Sequence, residues 1–100
     1  TPVVPDGYYS SWAQYTITLD SKEQRDSLQR HLQEHGIPSI VYYPRPLHTQ
    51  TVFEEMKQDP NCFLNTNRAT EVVLSLPMHP YLTSDSIRLV CEKIIEYCGT

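Results

Sequence analysis

The sequence predicts an α+β domain: a small, mostly antiparallel three-stranded sheet with helices packed on one face. Three observations carry this. A period-two alternation rich in Thr, Tyr, Ile and Trp starts at Ser11. Two later segments place apolar residues at helical spacing, and short β-favouring runs end at prolines. The chain has 100 residues, enough for one compact domain and too few for two. A domain of this length buries roughly 60–70% of the surface of its unfolded chain, so its core needs no disulfide support.

The elements follow in order. Residues 1–10 read as a linker, because Pro2, Pro5 and Gly7 disfavour regular structure; residues 11–100 form the domain. A chain that starts at Thr1, without Met, is expected to be a piece of a longer protein. Trp12, Gln14, Thr16 and Thr18 alternate with Ala13, Tyr15, Ile17 and Leu19, which gives a first strand with one apolar face. Asp20 or Ser21 caps a helix, with Glu23 at capping-box spacing from Asp20. Leu28 and Leu32 make its narrow apolar stripe, and Gly36 ends it where a left-handed backbone is needed. Residues 39–43 form a second strand, stopped by Pro44 and Pro46, which cannot donate ladder hydrogen bonds. Residues 51–57 suggest a short helix with Val52, Phe53 and Met56 on one side, and Asp59-Pro60-Asn61 a turn. Asn65 or Thr66 caps another short helix through Val72, and residues 73–76 give a third strand ended by Pro77. Thr83 caps the last helix, residues 84–97, with Ile87, Val90, Cys91, Ile94, Ile95 and Cys98 on one face and Gly99 as its C-terminal cap.

Composition removes several function classes. Net charge is −4 and the eight Lys and Arg residues are scattered, so no basic patch is available to displace counterions from nucleic acid. The apolar runs are only a few residues long, too short for a membrane span. Cys62, Cys91 and Cys98 are odd in number and form no C-x-x-C pair, which argues against a disulfide framework or a zinc knuckle. Buried, reduced thiols in a cytoplasmic protein are expected.

Two stretches hold candidate chemistry. Val41-Tyr42-Tyr43-Pro44-Arg45-Pro46-Leu47-His48 gathers two phenols, a guanidinium and an imidazole around two stiffening prolines at a strand end. Tyr42, Tyr43, Arg45 and His48 are therefore candidate substrate-binding residues; the competing reading makes the tyrosines packing groups and His48 a turn cap. Leu74-Ser75-Leu76-Pro77-Met78-His79-Pro80-Tyr81-Leu82 reads more readily as a rigid connection that aims the last helix. His31 and His35 have the i, i+4 spacing of a metal clamp but no third ligand, so a solvated helix face is the better reading. The three glycines are isolated, which rules out a phosphate-cradling loop, and no G-x-S-x-G occurs. Lys22, Lys57 and Lys93 all fall on polar helix faces, away from any apolar pocket that would make one a nucleophile.

Four motifs in register, over residues 1 to 95, resemble the C-terminal portion of the DegT/DnrJ/StrS family of sugar aminotransferases. They are Ser11-Trp12-Ala13-Gln14-Tyr15-Thr16-Ile17, Gly36-Ile37-Pro38, the 42–48 stretch and the 74–82 stretch. The resemblance implies the C-terminal small domain of a fold-type-I aminotransferase. Such an enzyme works as a homodimer, with pyridoxal 5'-phosphate held through a lysine of a large N-terminal domain. It moves an amino group, with glutamate the expected donor, to a nucleotide-linked keto sugar, as in polysaccharide biosynthesis. The small domain helps to close the site around that substrate. Tyr42, Tyr43 and His48 match the stretch that approaches the sugar, with Arg45 beside them; Trp12, Gln14 and His79 match positions of structural character. No lysine here matches the cofactor lysine, so no cofactor-binding residue and no transaminase activity are expected of residues 1–100 alone. One stretch departs from the family pattern: Phe63-Leu64-Asn65 stands where a Phe-Pro step leads into the next helix, after a lengthened 57–62 segment. Two other readings compete: a non-catalytic small-molecule-binding or regulatory module, and an interaction domain that docks through Tyr8, Tyr9 and Trp12.

Overall fold

The computed structural model describes residues 1–57, 59 and 62–99. Its two strands, β1 (Tyr15–Thr18) and β2 (Val73–Leu76), pair antiparallel with Tyr15 opposite Leu76 and Thr18 opposite Val73. Among the described residues the α-helices are α1 (Lys22–Glu34), α2 (Leu64–Val72) and α3 (Ser84–Cys98). Among the described residues, the 3-10 segments Leu47–Thr49 and Thr51–Met56 lie between α1 and α2.

The core forms on one face of the ribbon. Ile17, Leu19 and Leu74 meet Leu28 and Leu32 of α1 and Ile37, with Val90, Ile94 and Tyr97 of α3 packed partly buried against them. Leu28, Leu32 and Leu74 are fully buried, each stabilising the fold by about 1.5–3 kcal/mol through removal of its side chain from water. Antiparallel alternation sends Thr16, Thr18, Val73 and Ser75 to the opposite face. There α2 borders a hollow, so the helices do not all share one face: α1 and α3 cover the core and α2 flanks the other side.

The third strand is reduced to a single bridge. Ile40 exchanges both backbone hydrogen bonds with Ser75, at 3.0 and 2.9 Å, and no ladder extends beyond it among the described residues. Pro38 on one side and Pro44 and Pro46 on the other lack the N–H groups that a longer ladder requires. The first strand is shorter than its alternation suggests because Trp12 sits at φ +50°, a left-handed backbone that breaks extension.

Helix ends follow local chemistry. Ser21 caps α1 by accepting the Gln24 N–H at 3.1 Å, and the Gln24 side chain returns to the Asp20 N–H at 2.8 Å. The capping partner is thus Gln24 rather than Glu23. Gly36 follows α1 at φ +74°, as a left-handed cap requires. Thr83 caps α3 through the Ser86 N–H at 3.1 Å. α2 begins two or three residues earlier than expected: Phe63 is its N-cap and makes no side-chain cap bond, so neither Asn65 nor Thr66 caps it. The 51–57 helix is the 3-10 segment Thr51–Met56, with no buried residue. Of the expected Asp59-Pro60-Asn61 turn, Pro60 and Asn61 lie outside the described residues.

All three cysteines are exposed, which corrects the expectation of buried thiols. The face of α3 that meets the core is Val90, Ile94 and Tyr97; Cys91 and Cys98 sit one position round from it. The histidine pair of α1 packs: the His31 ring centroid lies 4.5 Å from that of His35 and 5.6 Å from that of Tyr97, and no group of three metal-ligating side chains occurs among the described residues.

One buried charge fastens these pieces. Arg25, three residues before Leu28 on the same helix stripe, is only 6% exposed. Its Nη1 donates to the Thr70 carbonyl at 2.9 Å and, more weakly, to the Val73 carbonyl at 3.5 Å; its Nε donates to Asp26 at 2.6 Å. Helix α2 ends there, and its last carbonyls have no partners within the helix. Arg25→Met should therefore leave the partly buried Thr70 carbonyl without its partner and lower unfolding stability in urea by about 1–3 kcal/mol. Arg25→Lys should recover part of the loss. A midpoint unchanged in Arg25→Met would mean that water serves those carbonyls equally well.

Candidate functional site

The hollow on the sheet face opposite the core encloses about 480 Å³. Its floor is Gln14, Thr16, Val73 and Ser75. Ser75 is buried, and its hydroxyl meets that of Thr16 at 2.7 Å. One wall is the loop after the Ile40 bridge, where Tyr42 and Tyr43 present half-exposed rings and Pro46 and Leu47 close the end. The other wall is α2, through Asn65, Thr66, Ala69 and Thr70. Such a space offers aromatic and aliphatic contact with a few hydroxyl and amide groups, a pattern suited to a partly polar organic ligand.

The four sequence candidates separate in space. Tyr42 and Tyr43 both line the hollow. Arg45 does not: its guanidinium bonds the Thr49 carbonyl, and its own carbonyl accepts from the Gln50 amide at 3.3 Å. It closes its own loop. His48 does not line the hollow: it stands next to the lining residue Leu47, on the 3-10 turn, and stacks on Phe63 with ring centroids 4.4 Å and planes 29° apart. Its Nε2 is enclosed and makes no hydrogen bond. His31 Nε2 and Ser39 Oγ are enclosed and unpaired in the same way, so it is the position of His48 beside Leu47 that makes it a site candidate.

Gln14, Thr16, Ser75, Asn65 and Thr66 are lining residues that the sequence reading did not select. The strand alternation contains the signal for the first two, since they oppose Tyr15 and Ile17. Nothing local signals Asn65 and Thr66, whose role depends on where α2 docks. His79 is exposed and accepts the Tyr81 N–H at 3.2 Å, which fits its reading as part of a rigid connection. A second, apolar hollow of about 240 Å³ lies between Tyr15, Leu76, Met78 and α3.

Lys22 and Lys57 are exposed, Lys93 bonds Glu96 at 2.8 Å, and no lysine lines either hollow. The Lys93 ammonium, by that hydrogen bond and by its charge, holds the exposed Glu96 carboxyl below the ordinary carboxylate range.

The chain is 40% identical over 95 residues to a UDP-2-acetamido-2-deoxy-3-oxo-D-glucuronate aminotransferase of Pseudomonas aeruginosa, which covers 94% of this chain and 24% of the relative. It is 41% identical over 97 residues to a pleiotropic regulatory protein of Geobacillus stearothermophilus, covering 97% of this chain and 25% of that one. The crystal structure of a DegT DnrJ EryC1 StrS aminotransferase from Brucella abortus superposes with a TM-score of 0.86 at 37% identity, over 99% of this chain and 26% of that chain. The chain thus spans about a quarter of the length of these relatives. Residues 1–95 match the family as a whole, and the chain belongs to the DegT/DnrJ/EryC1/StrS aminotransferase family.

Proposed function

We propose that this chain is the substrate-closing small domain of a sugar aminotransferase that transfers an amino group, from glutamate, to a nucleotide-linked keto sugar. The observation that carries the reading is the hollow walled by Tyr42 and Tyr43, in a chain 40% identical to an enzyme named for a UDP-linked 3-oxo sugar. Pyridoxal phosphate supplies the electron sink for such a transfer, and the lysine that holds it belongs to a large domain outside these residues. The work of this chain is to bind and orient. Tyr42 and Tyr43 offer ring faces for the sugar and hydroxyls for its oxygens. His48 offers an unpaired nitrogen, and the Thr16–Ser75 hydroxyl pair offers a polar floor. Arg45 supports the loop that carries them. Closure over the substrate excludes water from the reacting carbon. The parent acts as a homodimer in the cytoplasm, where exposed thiols stay reduced.

A regulatory, non-catalytic reading is favoured by one observation, the name of the 41% identical relative. Activity separates the two. The full-length subunit, loaded with pyridoxal phosphate, should convert UDP-2-acetamido-2-deoxy-3-oxo-D-glucuronate with glutamate. Residues 1–100 with added cofactor should show no turnover. Turnover by the 100-residue chain, or none by a folded, loaded full-length subunit, would defeat the enzymatic reading as stated.

His48→Asn in the full-length subunit should raise the apparent KM for that sugar roughly three- to tenfold, the value of one lost hydrogen bond. An unchanged KM would return His48 to a packing role.

Tyr8 and Tyr9 are 76% and 96% exposed, and Val3 lies bare beside them. Sedimentation of the isolated chain should show self-association that rises with concentration and falls in the Tyr8→Ser/Tyr9→Ser variant. A chain that stays monomeric at high concentration would count against a sticky surface there.

A further inference from the structure

We propose that Phe63 is a positioning residue: its ring fixes the plane of the His48 imidazole, and so the nitrogen that His48 offers to the sugar. The inference rests on the reading of His48 as a sugar contact.

The backbone of His48 is already held. Its 3-10 turn closes through the Thr49 N–H to the Pro46 carbonyl at 3.0 Å, and the Thr49 hydroxyl donates to the same carbonyl at 2.9 Å. A turn fixes the start of a side chain but not the ring, because the second torsion of histidine is broad and two-fold. Neither 3-10 segment buries a residue, so those elements give the ring no wall of their own. The Phe63 ring gives one, 4.4 Å away and tilted by 29°, near the offset stacking that aromatic pairs favour. The ring held in this way has a nitrogen, Nε2, that is enclosed and unpaired, so it gains a hydrogen bond from a hydroxyl that displaces its present cover.

The stack has a second consequence. Phe63 is the N-cap of α2, and Asn65 and Thr66 of the next turn line the wall across from Tyr42 and Tyr43. One ring–ring contact therefore couples the orientation of His48 to the wall opposite the tyrosines. A bland packing role would predict that Phe63 affects stability alone. A positioning role predicts that its effect on substrate passes through His48.

A double-mutant cycle distinguishes these. In the full-length, cofactor-loaded subunit, assayed with the UDP-linked keto sugar used above, Phe63→Leu should raise apparent KM roughly three- to tenfold, as loss of the His48 bond does. Its kcat should stay within about twofold, the signature of lost uniform binding. Phe63→Tyr, which keeps the stack, should stay near wild type. Phe63→Leu in a His48→Asn background should add nothing further. In the 100-residue chain, the ring-proton resonances of His48 should lose their ring-current displacement in Phe63→Leu and keep it in Phe63→Tyr. Additive KM effects in the double variant, or a wild-type KM for Phe63→Leu while His48→Asn is impaired, would overturn the positioning role and leave His48 as a sugar contact. A normal KM in His48→Asn would remove both.

Discussion

Ser75 is where three parts of this chain meet. Its backbone exchanges two hydrogen bonds with Ile40, it stands opposite Thr16 in the ribbon, and its hydroxyl meets the Thr16 hydroxyl. A two-stranded ribbon is marginal by itself in water. This one persists because the neighbour of Ser75, Leu74, is driven fully into the leucines of α1. The alternation of one strand thus assigns both faces at once: leucine toward the core, serine toward the hollow. A register slip of one residue would exchange them, placing a hydroxyl among Leu28 and Leu32 and a leucine on the hollow's floor. Burial of Leu74 therefore fixes the floor of the candidate site, and the Ile40 bridge then fixes how far from that floor the tyrosine loop stands.

The sequence made the elements legible where the determinant was local. Ser21, Thr83 and Gly36 end helices for reasons contained within a few residues. The alternation from Tyr15 to Thr18 and the run from Val73 to Leu76 gave both strands. Determinants at a distance were not legible. Residues 39–43 have strand composition, but whether they ladder depends on prolines at both ends acting against a partner 35 positions away in sequence. Arg25 looks like any solvated arginine of an amphipathic helix; only the docking of α2 puts the Thr70 carbonyl within its reach. The site divides in the same way. Tyr42 and Tyr43 could be named from their own loop, whereas Asn65 and Thr66 became lining residues only through tertiary placement.

The helical stripe of α3 shows a further limit of periodicity. Ile87, Val90, Cys91, Ile94, Ile95 and Cys98 share a broad face, yet only Val90 and Ile94 reach the core. Ile87 and Ile95 stay substantially exposed, and so do Leu47, Val52, Met56 and Leu64 in the middle of the chain. A helical pattern reports which residues are apolar, not which surface will cover them. A domain that spans a quarter of its relatives is expected to carry such surplus apolar surface, since much of it meets the remainder of a subunit or a second copy on the function proposed here. Exposed cysteines on α3 belong to the same surplus.

The Phe63-Leu64-Asn65 stretch lacks the Phe-Pro step that the resemblance implies. A Phe-Pro step puts proline at the first helical position, where its fixed φ presets the helix and its missing N–H costs nothing. Here that first position is Leu64, which is exposed, and the N-cap Phe63 makes no side-chain cap bond. The start of α2 is therefore held by the Asn67 N–H bond to the Phe63 carbonyl at 2.9 Å and by the ring stack on His48. Without the proline, more of the burden of fixing this helix end falls on the stack. The same contact that orients the imidazole then also sets where Asn65 and Thr66 stand across from the tyrosines. A change at one helix-start residue, outside the hollow itself, is in this way able to reach both of its sides.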